Sequence, residues 1–424
     1  MTETVRVVAI ADSDSYVKWG ASLASRMPEH WNVTLVVIAN PVLPSADQLE
    51  AALPESTLAA PAVVDLPTLS SWVEREQPDL VLLSLRGPLI KVVVRAVLAV
   101  TAKRPVLVSG LPGISVPATR RAIAHRAQAD LFVLHSKREV REFTALAAEM
   151  GIDQQFALAT LPFMSAGGRV EQGESTGKPG GDVIFAAQAK VPSERHERVA
   201  LLGWLAESAR AHPERRVVLK VRALPGEQQT HAEKYDFAAL MAELDPPAPA
   251  NLVVAGGSMG VYLSAAAALV TVSSTAAIEA VALGVPVLAL DDFGISKPMI
   301  NLVFENSGLF GDHKDLIAGR FNQPNAHWLD DNYFHPRSED DWIDQANELL
   351  AVRATQQFAV KPLTQGLLGG AVRRAWDRKR ALGRYDRTLN GRAALALGTV
   401  PHFVWRAARK MRRVLTVGAS ADLN

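Results

Sequence analysis

The sequence predicts an α/β protein made of two tandem, doubly wound (Rossmann-like) domains and a basic helical C-terminal tail. Short runs rich in Val, Leu and Ile recur along the chain, and amphipathic helical patterns separate them. Continuous apolar strands that alternate with helices are typical of parallel sheets covered on both faces. A glycine-rich stretch divides the runs into two sets, and 424 residues suffice for two domains.

The apolar runs predict five strands in each domain. In the first domain they are Val5–Ile10, Val33–Ala39, Leu80–Ser84, Val106–Ser109 and Leu131–His135. In the second domain they are Val183–Ala187, Val217–Val221, Leu252–Ala255, Leu269–Val272 and Val285–Leu290. We place the first domain at 1–165, a linker at 166–181, the second domain at 182–360 and the tail at 361–424. Six glycines within residues 165–182 indicate the linker.

Composition excludes several classes of site and predicts a compartment. The chain has no cysteine, which rules out disulfides, thiolate metal sites and a cysteine nucleophile. Residues 1–4 lack the basic-then-apolar pattern of a signal peptide. The longest uncharged run, 246–278, is interrupted by Asn251 and the pair Gly256-Gly257, so we interpret it as buried core and not as a membrane helix. These features predict a cytoplasmic protein.

The formal net charge of +1 conceals a strongly basic C-terminus. Residues 369–424 contain 13 Lys or Arg and three acidic residues. Within this tail, residues 395–424 predict an amphipathic helix that starts at Pro401, with basic residues beside an apolar stripe. A basic amphipathic helix is typical of segments that bind anionic membranes. We therefore expect contact with the inner face of the plasma membrane, or packing of the tail on the first domain. No motif predicts a nucleic-acid partner.

One strand–helix–strand unit, residues 269–292, has the clearest binding pattern. Ser273, Ser274 and Thr275 stand between a strand and a short helix, where one of them is expected to cap the helix. The free N–H groups and the positive end of the dipole at such a helix start favour a phosphate. Glu279 lies one turn inside an otherwise apolar helix, where a carboxylate is costly unless it has a partner. That partner is either a ribose with two hydroxyls or another residue of the fold.

This unit resembles the donor half of GT-B glycosyltransferases, which use nucleotide-sugar donors. The resemblance implies that Ser273–Thr275 hold the donor phosphate, that Glu279 binds the ribose, and that Asp291 or Asp292 contacts the sugar. The chain more closely resembles glycosyltransferases of actinobacteria. It is also similar to bacterial capsule and sialic-acid polymer transferases, although the segment 220–226 lacks their His-Pro motif.

Further donor-binding candidates follow other strands of the second domain. Lys220 and Arg222 end one strand, where cations can grip phosphate, and an ordinary solvated strand end is the alternative. Gly257 and Ser258 follow the next strand, where a glycine turn lets the backbone approach a base or a phosphate. An ordinary turn is again the alternative.

The first domain is expected to supply the acceptor site and a base. An inverting sugar transfer needs a group that accepts the proton of the acceptor hydroxyl. Asp12 and Asp14 follow the first strand and are the first candidates, and His125 is the next. The pair of aspartates could also bind a cation, but it lies outside the donor domain. We therefore expect no metal and no cofactor besides the nucleotide-sugar substrate.

The predicted activity is sugar transfer from a nucleotide-sugar to a glycan or lipid-linked acceptor. A nucleotide-sugar epimerase on the same tandem fold is one alternative, and a nucleotide-binding protein without activity is another. The fold alone does not decide between them.

Overall fold

We describe the protein from a computed structural model, in which residues 4–53, 60–161, 181–221, 234–356, 358–361 and 370–397 are placed well enough to describe. Two parallel sheets with helices on their faces form the molecule, which confirms the predicted fold class. The predicted linker 166–181 lies almost entirely outside the described residues.

The first sheet has seven parallel strands in the order β3-β2-β1-β4-β5-β6-β7. Its strands are β1 Val5–Ala11, β2 Trp31–Ile38, β3 Ala62–Val64, β4 Leu80–Ser84, β5 Val106–Gly110, β6 Leu131–Leu134 and β7 Gln155–Leu158. The helices between them are α1 Asp14–Ala24, α2 Ala46–Ala51, α3 Leu66–Glu76, α4 Gly87–Val100, α5 Arg120–Arg126 and α6 Lys137–Glu149. Separate apolar clusters cover the two faces of the sheet, as expected for strands buried on both sides.

The second sheet has six parallel strands in the order β10-β9-β8-β11-β12-β13. Its strands are β8 Asp182–Ala186, β9 Val217–Lys220, β10 Leu252–Ala255, β11 Ala266–Thr271, β12 Val287–Leu290 and β13 Phe310–Gly311. Its helices are α7 Arg195–Ala211, α8 Phe237–Met241, α9 Met259–Leu263, α10 Ala276–Ala282, α11 His313–Ile317 and α12 Ala326–Asp331. The first six strands of the first sheet therefore have the same order as the six strands of the second. In both sheets the strand order reverses between the first and the fourth strand along the chain, which defines a switch point.

Two C-terminal helices return to the first domain. Helix α13, Trp342–Thr355, buries Trp342 and Ala346 in the core of the first sheet, although it lies in the range that sequence analysis assigns to the second domain. Helix α14, Gly370–Leu382, packs on α4 and buries Leu382 in the other core of that sheet. Helix α14, the first described part of the basic tail, thus packs on the first domain.

Candidate functional site

Each sheet presents polar residues at the point where its strand order reverses. In the first sheet, Asp12 follows β1 and Arg86 follows β4. In the second sheet, Gln188 follows β8 and Ser273 follows β11. Ligands of doubly wound folds bind outside the carboxyl ends of the strands at this switch point. The two switch points are therefore the first places to look for a site.

The first switch point is closed by an ion pair between the buried carboxylate of Asp12 and the partly exposed side chain of Arg86. The Asp12 carboxylate is fully buried and accepts hydrogen bonds from the Arg86 side chain at 2.8 Å, the Arg86 backbone N–H at 3.2 Å and the Ser13 hydroxyl at 3.0 Å. Arg86 also donates to Asn40, whose side chain in turn donates to the Asp12 carbonyl. Burial raises the pKa of Asp12, and the Arg86 charge opposes that rise. Asp12 therefore fixes three strand ends relative to each other.

Asp14 presents an open carboxylate two residues later. It is the first residue of α1, it is exposed, and it makes no side-chain hydrogen bond to the residues that the structure describes. Neighbouring protein atoms displace part of its water and raise its pKa, whereas the Lys18 ammonium one turn along the helix lowers it. A carboxylate with a raised pKa and free oxygens can accept a proton from a bound hydroxyl.

His125 is half-buried at a different position of the first domain. Its ring packs so closely on Gly87, at the start of α4, that a Cβ there would lie 2.5 Å from the imidazole. Arg121 donates to its Nε2 at 3.3 Å, and its Nδ1 is buried with no partner among the described residues. Burial and the charges of Lys91, Arg121 and Arg126 lower the pKa of His125 to about 4, so the ring is neutral at pH 7 and weakly basic.

A buried arginine next to this position was missed by the sequence analysis. Arg126 is fully buried and donates to the Tyr16 hydroxyl at 2.7 Å and to the carbonyls of Gly110 and Leu85, which end two strands. Its charge stabilises negative charge at the carboxyl edge of the first sheet. Neither its spacing nor its neighbours in the sequence distinguish it from other helix arginines.

The second switch point is bridged by a neutral hydrogen bond. Ser273 is buried and donates to the Gln188 side chain at 2.6 Å. The Ser274 hydroxyl accepts the N–H of Ala276 at 3.2 Å and so caps the start of α10. The Thr275 hydroxyl is exposed and makes no capping bond. Two of the three predicted hydroxyls are thus used by the fold, and the third faces solvent.

Glu279 has no internal partner in the described part of the chain. Its side chain is half-buried on α10 and makes neither a hydrogen bond nor an ion pair there. Burial raises the pKa of Glu279, and the Lys18 ammonium of the first domain counteracts this rise. Because Lys18 also acts on Asp14, the start of α1 and the helix α10 face each other across the cleft between the domains.

The other predicted donor-binding residues differ in how far they are buried. Lys220 is buried and donates to the carbonyl of Val221 at 2.7 Å, so its ammonium is engaged within the fold. Arg222 lies outside the described residues. Gly257 has a φ of +88°, which favours glycine, and Ser258 beside it is exposed.

The two aspartates after β12 differ from each other. The Asp292 carboxylate forms a hydrogen bond with His313 Nδ1 at 2.5 Å. His313 in turn stacks on Trp204, with ring centroids 4.8 Å apart. Asp291 is half-buried, and its carboxylate meets its own backbone N–H but forms no hydrogen bond with another residue that the structure describes. Burial and the nearby carboxylates of Asp292, Asp312 and Asp315 raise the pKa of Asp291. Asp291 is therefore the more available of the two.

The domains also make direct contacts away from the cleft edge. Glu139 of α6 is buried and accepts hydrogen bonds from the Tyr333 hydroxyl at 2.6 Å and from the backbone N–H groups of Ser115 and His135. Burial raises the pKa of Glu139 to about 7 against the effect of these donors. Val116 and Leu161 of the first domain enter an apolar cluster of the second. This buried contact therefore joins the two domains.

The described residues contain neither a metal-binding cluster nor a membrane-spanning helix. No group of three His, Asp or Glu side chains there is arranged to hold a metal ion. No helix in those segments combines the length and the apolar character needed to cross a bilayer.

Two Rossmann-like domains facing each other across a cleft define the GT-B fold class. Within that class, the chain belongs to the family described as "Putative glycosyltransferase (DUF6716)", which matches residues 7–349. The comparison with curated proteins gave no match.

Solved structures share the fold at low sequence identity. A putative UDP-N-acetylglucosamine 2-epimerase from Listeria monocytogenes is 13% identical, with a TM-score of 0.53 over 85% of this chain and 99% of that one. The S. aureus MnaA–UDP co-structure is 12% identical, with a TM-score of 0.50 over 85% of this chain and 100% of that one. These likenesses establish the fold. They do not separate transfer from epimerisation.

Proposed function

We propose that the protein transfers a sugar from a nucleotide-sugar donor, bound at the second switch point, to a glycan or lipid-linked acceptor in the first domain. The observation that carries the proposal is Glu279, a half-buried carboxylate that faces the cleft without an internal partner. Keeping such a group is costly unless a ligand satisfies it. The glycosyltransferase description of the family and the UDP in the MnaA co-structure support a nucleotide-sugar as that ligand.

In this proposal each group of the second domain has one role. Glu279 accepts hydrogen bonds from the two ribose hydroxyls, and Thr275 with Ser274 holds the donor phosphate beside the start of α10. Asp291 contacts the transferred sugar, with Asp292 oriented by His313 behind it. Gly257 and Ser258 approach the nucleobase. Lys220 and Arg222 contribute positive charge near the phosphates. The resemblance to the donor half of GT-B glycosyltransferases suggests these roles.

The base is assigned to Asp14, in a reaction that inverts the sugar and needs no metal. Its free carboxylate oxygens and raised pKa suit proton transfer, whereas the oxygens of Asp12 are occupied by Arg86 and Ser13. His125, with a pKa of about 4, is the second candidate. Lys18, between Asp14 and Glu279, balances negative charge across the cleft.

Two measurements test this assignment. The Asp14→Asn variant should lose turnover by a factor of about 100 or more while its donor affinity stays within twofold of wild type, because a base contributes about 10²–10⁴ in rate. Asp153→Asn, a loop residue of the same domain, is the matched control. Full turnover in Asp14→Asn would remove the residue from the mechanism.

A product assay separates transfer from the epimerase alternative. The purified protein is incubated with UDP-, GDP- and CMP-sugars, with and without lipid-linked and glycan acceptors. Nucleotide release that depends on acceptor supports transfer, and a new sugar epimer formed without acceptor supports epimerisation. Epimerisation is retained as the second candidate function because one of the two solved structures compared above is a putative 2-epimerase. Nucleotide binding with neither product would indicate a binding protein.

The tail is proposed to hold the protein at an anionic inner membrane face. Residues 398–424, which contain the predicted amphipathic helix, lie outside the described residues. The support is the charge pattern of 395–424, with five basic residues, one acidic residue and an apolar stripe. Co-sedimentation with anionic vesicles should weaken when residues 395–424 are removed. Equal binding by the shortened chain would contradict this part.

A further inference from the structure

The described C-terminal residues form a positively charged surface that precedes the undescribed segment 398–424. Residues 370–397 contain eight basic and two acidic residues. We name as the α14 surface the exposed side chains of this segment. Its arginines are Arg373, Arg374, Arg380, Arg384, Arg387 and Arg392.

The two acidic residues of this segment are already engaged. Asp386 is buried and accepts from Arg378 at 3.0 Å, and Asp377 pairs with Arg373 at 3.3 Å. The guanidinium groups of Arg374, Arg387 and Arg392 make neither a hydrogen bond nor an ion pair with any residue that the structure describes. The Asp65 carboxylate of the first domain acts on Arg387. Arg374 and Arg392 form no ion pair with a carboxylate of the described chain, so the surface keeps a net positive charge.

The positive charge continues onto the helix beneath. Lys91 and Arg95 of α4 lie against α14, and Asp377 is the one acidic residue that acts on both. Burial and the charges of Arg95 and Arg373 lower the pKa of Lys91. Since Lys91 also acts on His125, the basic surface extends along α4 toward the carboxyl edge of the first sheet.

The surface rests on an ordered support. Leu382 is buried in the core of the first sheet, and Trp376 packs with Ala375 and Ala394. Arg373 and Arg380 both stack on Trp376, each with its guanidinium carbon 4.6 Å from the ring centroid. Helix α14 and residues 389–397 are thus held in a fixed relation to the first domain.

Large apolar side chains stand exposed among these arginines. Leu389 is 79% exposed, Leu397 is 69% exposed and Val372 is 53% exposed. Exposed apolar side chains that alternate with cations along one segment are typical of interfacial surfaces. Arginines next to exposed leucines match the interface of an anionic bilayer, where phosphates meet acyl chains. A single-stranded nucleic acid would instead favour exposed aromatic rings, and Trp376 is buried.

We infer that the α14 surface, with its unneutralised arginines and exposed leucines, docks the first domain on an anionic phospholipid bilayer. The docked bilayer lies on the acceptor side of the cleft, so that a lipid-linked acceptor would reach the first domain from the membrane. That purpose rests on the proposed function. The docking itself does not, because it is measured without donor or acceptor.

The test compares two triple variants of the full-length chain. One replaces Arg374, Arg387 and Arg392 by Gln. The control replaces Lys297, Lys314 and Arg320, exposed residues of the second domain, by Gln and removes the same charge. Binding is measured by co-sedimentation with vesicles of phosphatidylglycerol and phosphatidylcholine, with pure phosphatidylcholine as the neutral vesicle. Segment 398–424 is present in both variants and contributes equally.

The α14 triple variant should bind anionic vesicles about 100-fold more weakly than the control triple, since each cation near an anionic leaflet contributes roughly 1 kcal/mol. Wild type should ignore neutral vesicles and lose binding at high salt. Leu389→Ser with Leu397→Ser should weaken binding further at constant charge. The inference fails if both triples bind alike, or if wild type binds a single-stranded oligonucleotide and no vesicle. Nucleotide affinity is measured in the same two variants and should be unchanged in both. A loss of vesicle binding with normal nucleotide affinity then tests docking independently of the proposed function.

Discussion

The two switch points have the same place in two sheets of the same strand order, but they differ in how their polar groups are satisfied. At the first, Asp12 and Arg86 form a closed network within the protein. At the second, Ser273 and Gln188 form one neutral hydrogen bond, while Glu279 remains without a partner in the described chain. The fold alone therefore does not make a site. We place the candidate site where a half-buried carboxylate has no hydrogen-bond partner in the described chain.

A second contrast concerns two glutamates on helices. Glu139 and Glu279 both have a pKa that burial raises. Glu139 accepts three hydrogen bonds, one of them from Tyr333 across the domain contact, whereas Glu279 accepts none from the described residues. The first glutamate serves the structure, and the second reduces stability unless a ligand is bound.

The largest loss of stability is expected at the first switch point. Arg86→Met leaves the buried carboxylate of Asp12 without its cation, which should lower the free energy of unfolding by about 3 kcal/mol. Arg75→Met, which breaks an exposed ion pair with Glu76, should cost less than about 1 kcal/mol. Urea denaturation measures both. Equal losses would show that the first switch point is not held by this pair.

The pH dependence of stability should report Glu139. Its pKa is about 7 in the folded protein and near 4.5 when unfolded, so its contribution is fully present below pH 4.5 and is lost as the pH rises through 7. Relative to Glu139→Gln, wild type should lose on the order of 3 kcal/mol across this window. Parallel stability curves for the two proteins between pH 4.5 and 8 would disprove the raised pKa.

The domain contact should weaken when the Tyr333 hydroxyl is removed. Tyr333→Phe deletes a buried donor to Glu139 and should lower the free energy of unfolding by about 2 kcal/mol, the usual range for a hydrogen bond to a charged group. Tyr385→Phe, whose hydroxyl meets an exposed arginine, should change it by less than about 0.5 kcal/mol. A result in which both variants unfold like wild type would mean that this bond does not hold the domains.

A smaller effect is expected at the neutral bridge of the second switch point. Ser273→Ala removes its bond to Gln188 and should cost about 1 kcal/mol. Ser264→Ala, at an exposed position of the same domain, serves as the control. A loss as large as that of Arg86→Met would erase the difference between the two switch points.

The strands were predictable because each is a continuous apolar run. Leu80–Ser84 and Leu252–Ala255 match the structure, and the other predicted strands agree within one to three residues at each end. The strands that were not predicted, Ala62–Val64, Gln155–Leu158 and Phe310–Gly311, are short edge strands, with few buried residues to produce a run. Local patterns detect apolar runs, and these three strands are too short or too little buried to produce one. Leu252–Ala255 is also an edge strand, but all four of its residues are apolar, so it was predicted.

The site was predictable only where its signal is local. The pattern of Ser273–Thr275 followed by Glu279 spans seven consecutive residues. The partner of Asp12 is 74 residues away, and only the order of the strands brings Arg86 beside it. The same holds for Lys18, which meets Glu279 only across the cleft. Long-range pairing of charged groups is a property of the topology that no spacing in the sequence carries.

Nucleotide affinity of a single glutamate variant tests the central claim most directly. Titration calorimetry with UDP, GDP and CMP identifies a nucleotide that binds wild type, and the same titration follows for Glu279→Gln. Glu207→Gln, an exposed glutamate of α7, is the control. We expect affinity to fall at least about tenfold in Glu279→Gln alone, as for the loss of a charged hydrogen bond. Without nucleotide, Glu279→Gln should be no less stable than wild type. Burial raises the pKa of Glu279, so the charged carboxylate is unfavourable in the unliganded protein. Unchanged affinity in Glu279→Gln would contradict a nucleotide site at the second switch point.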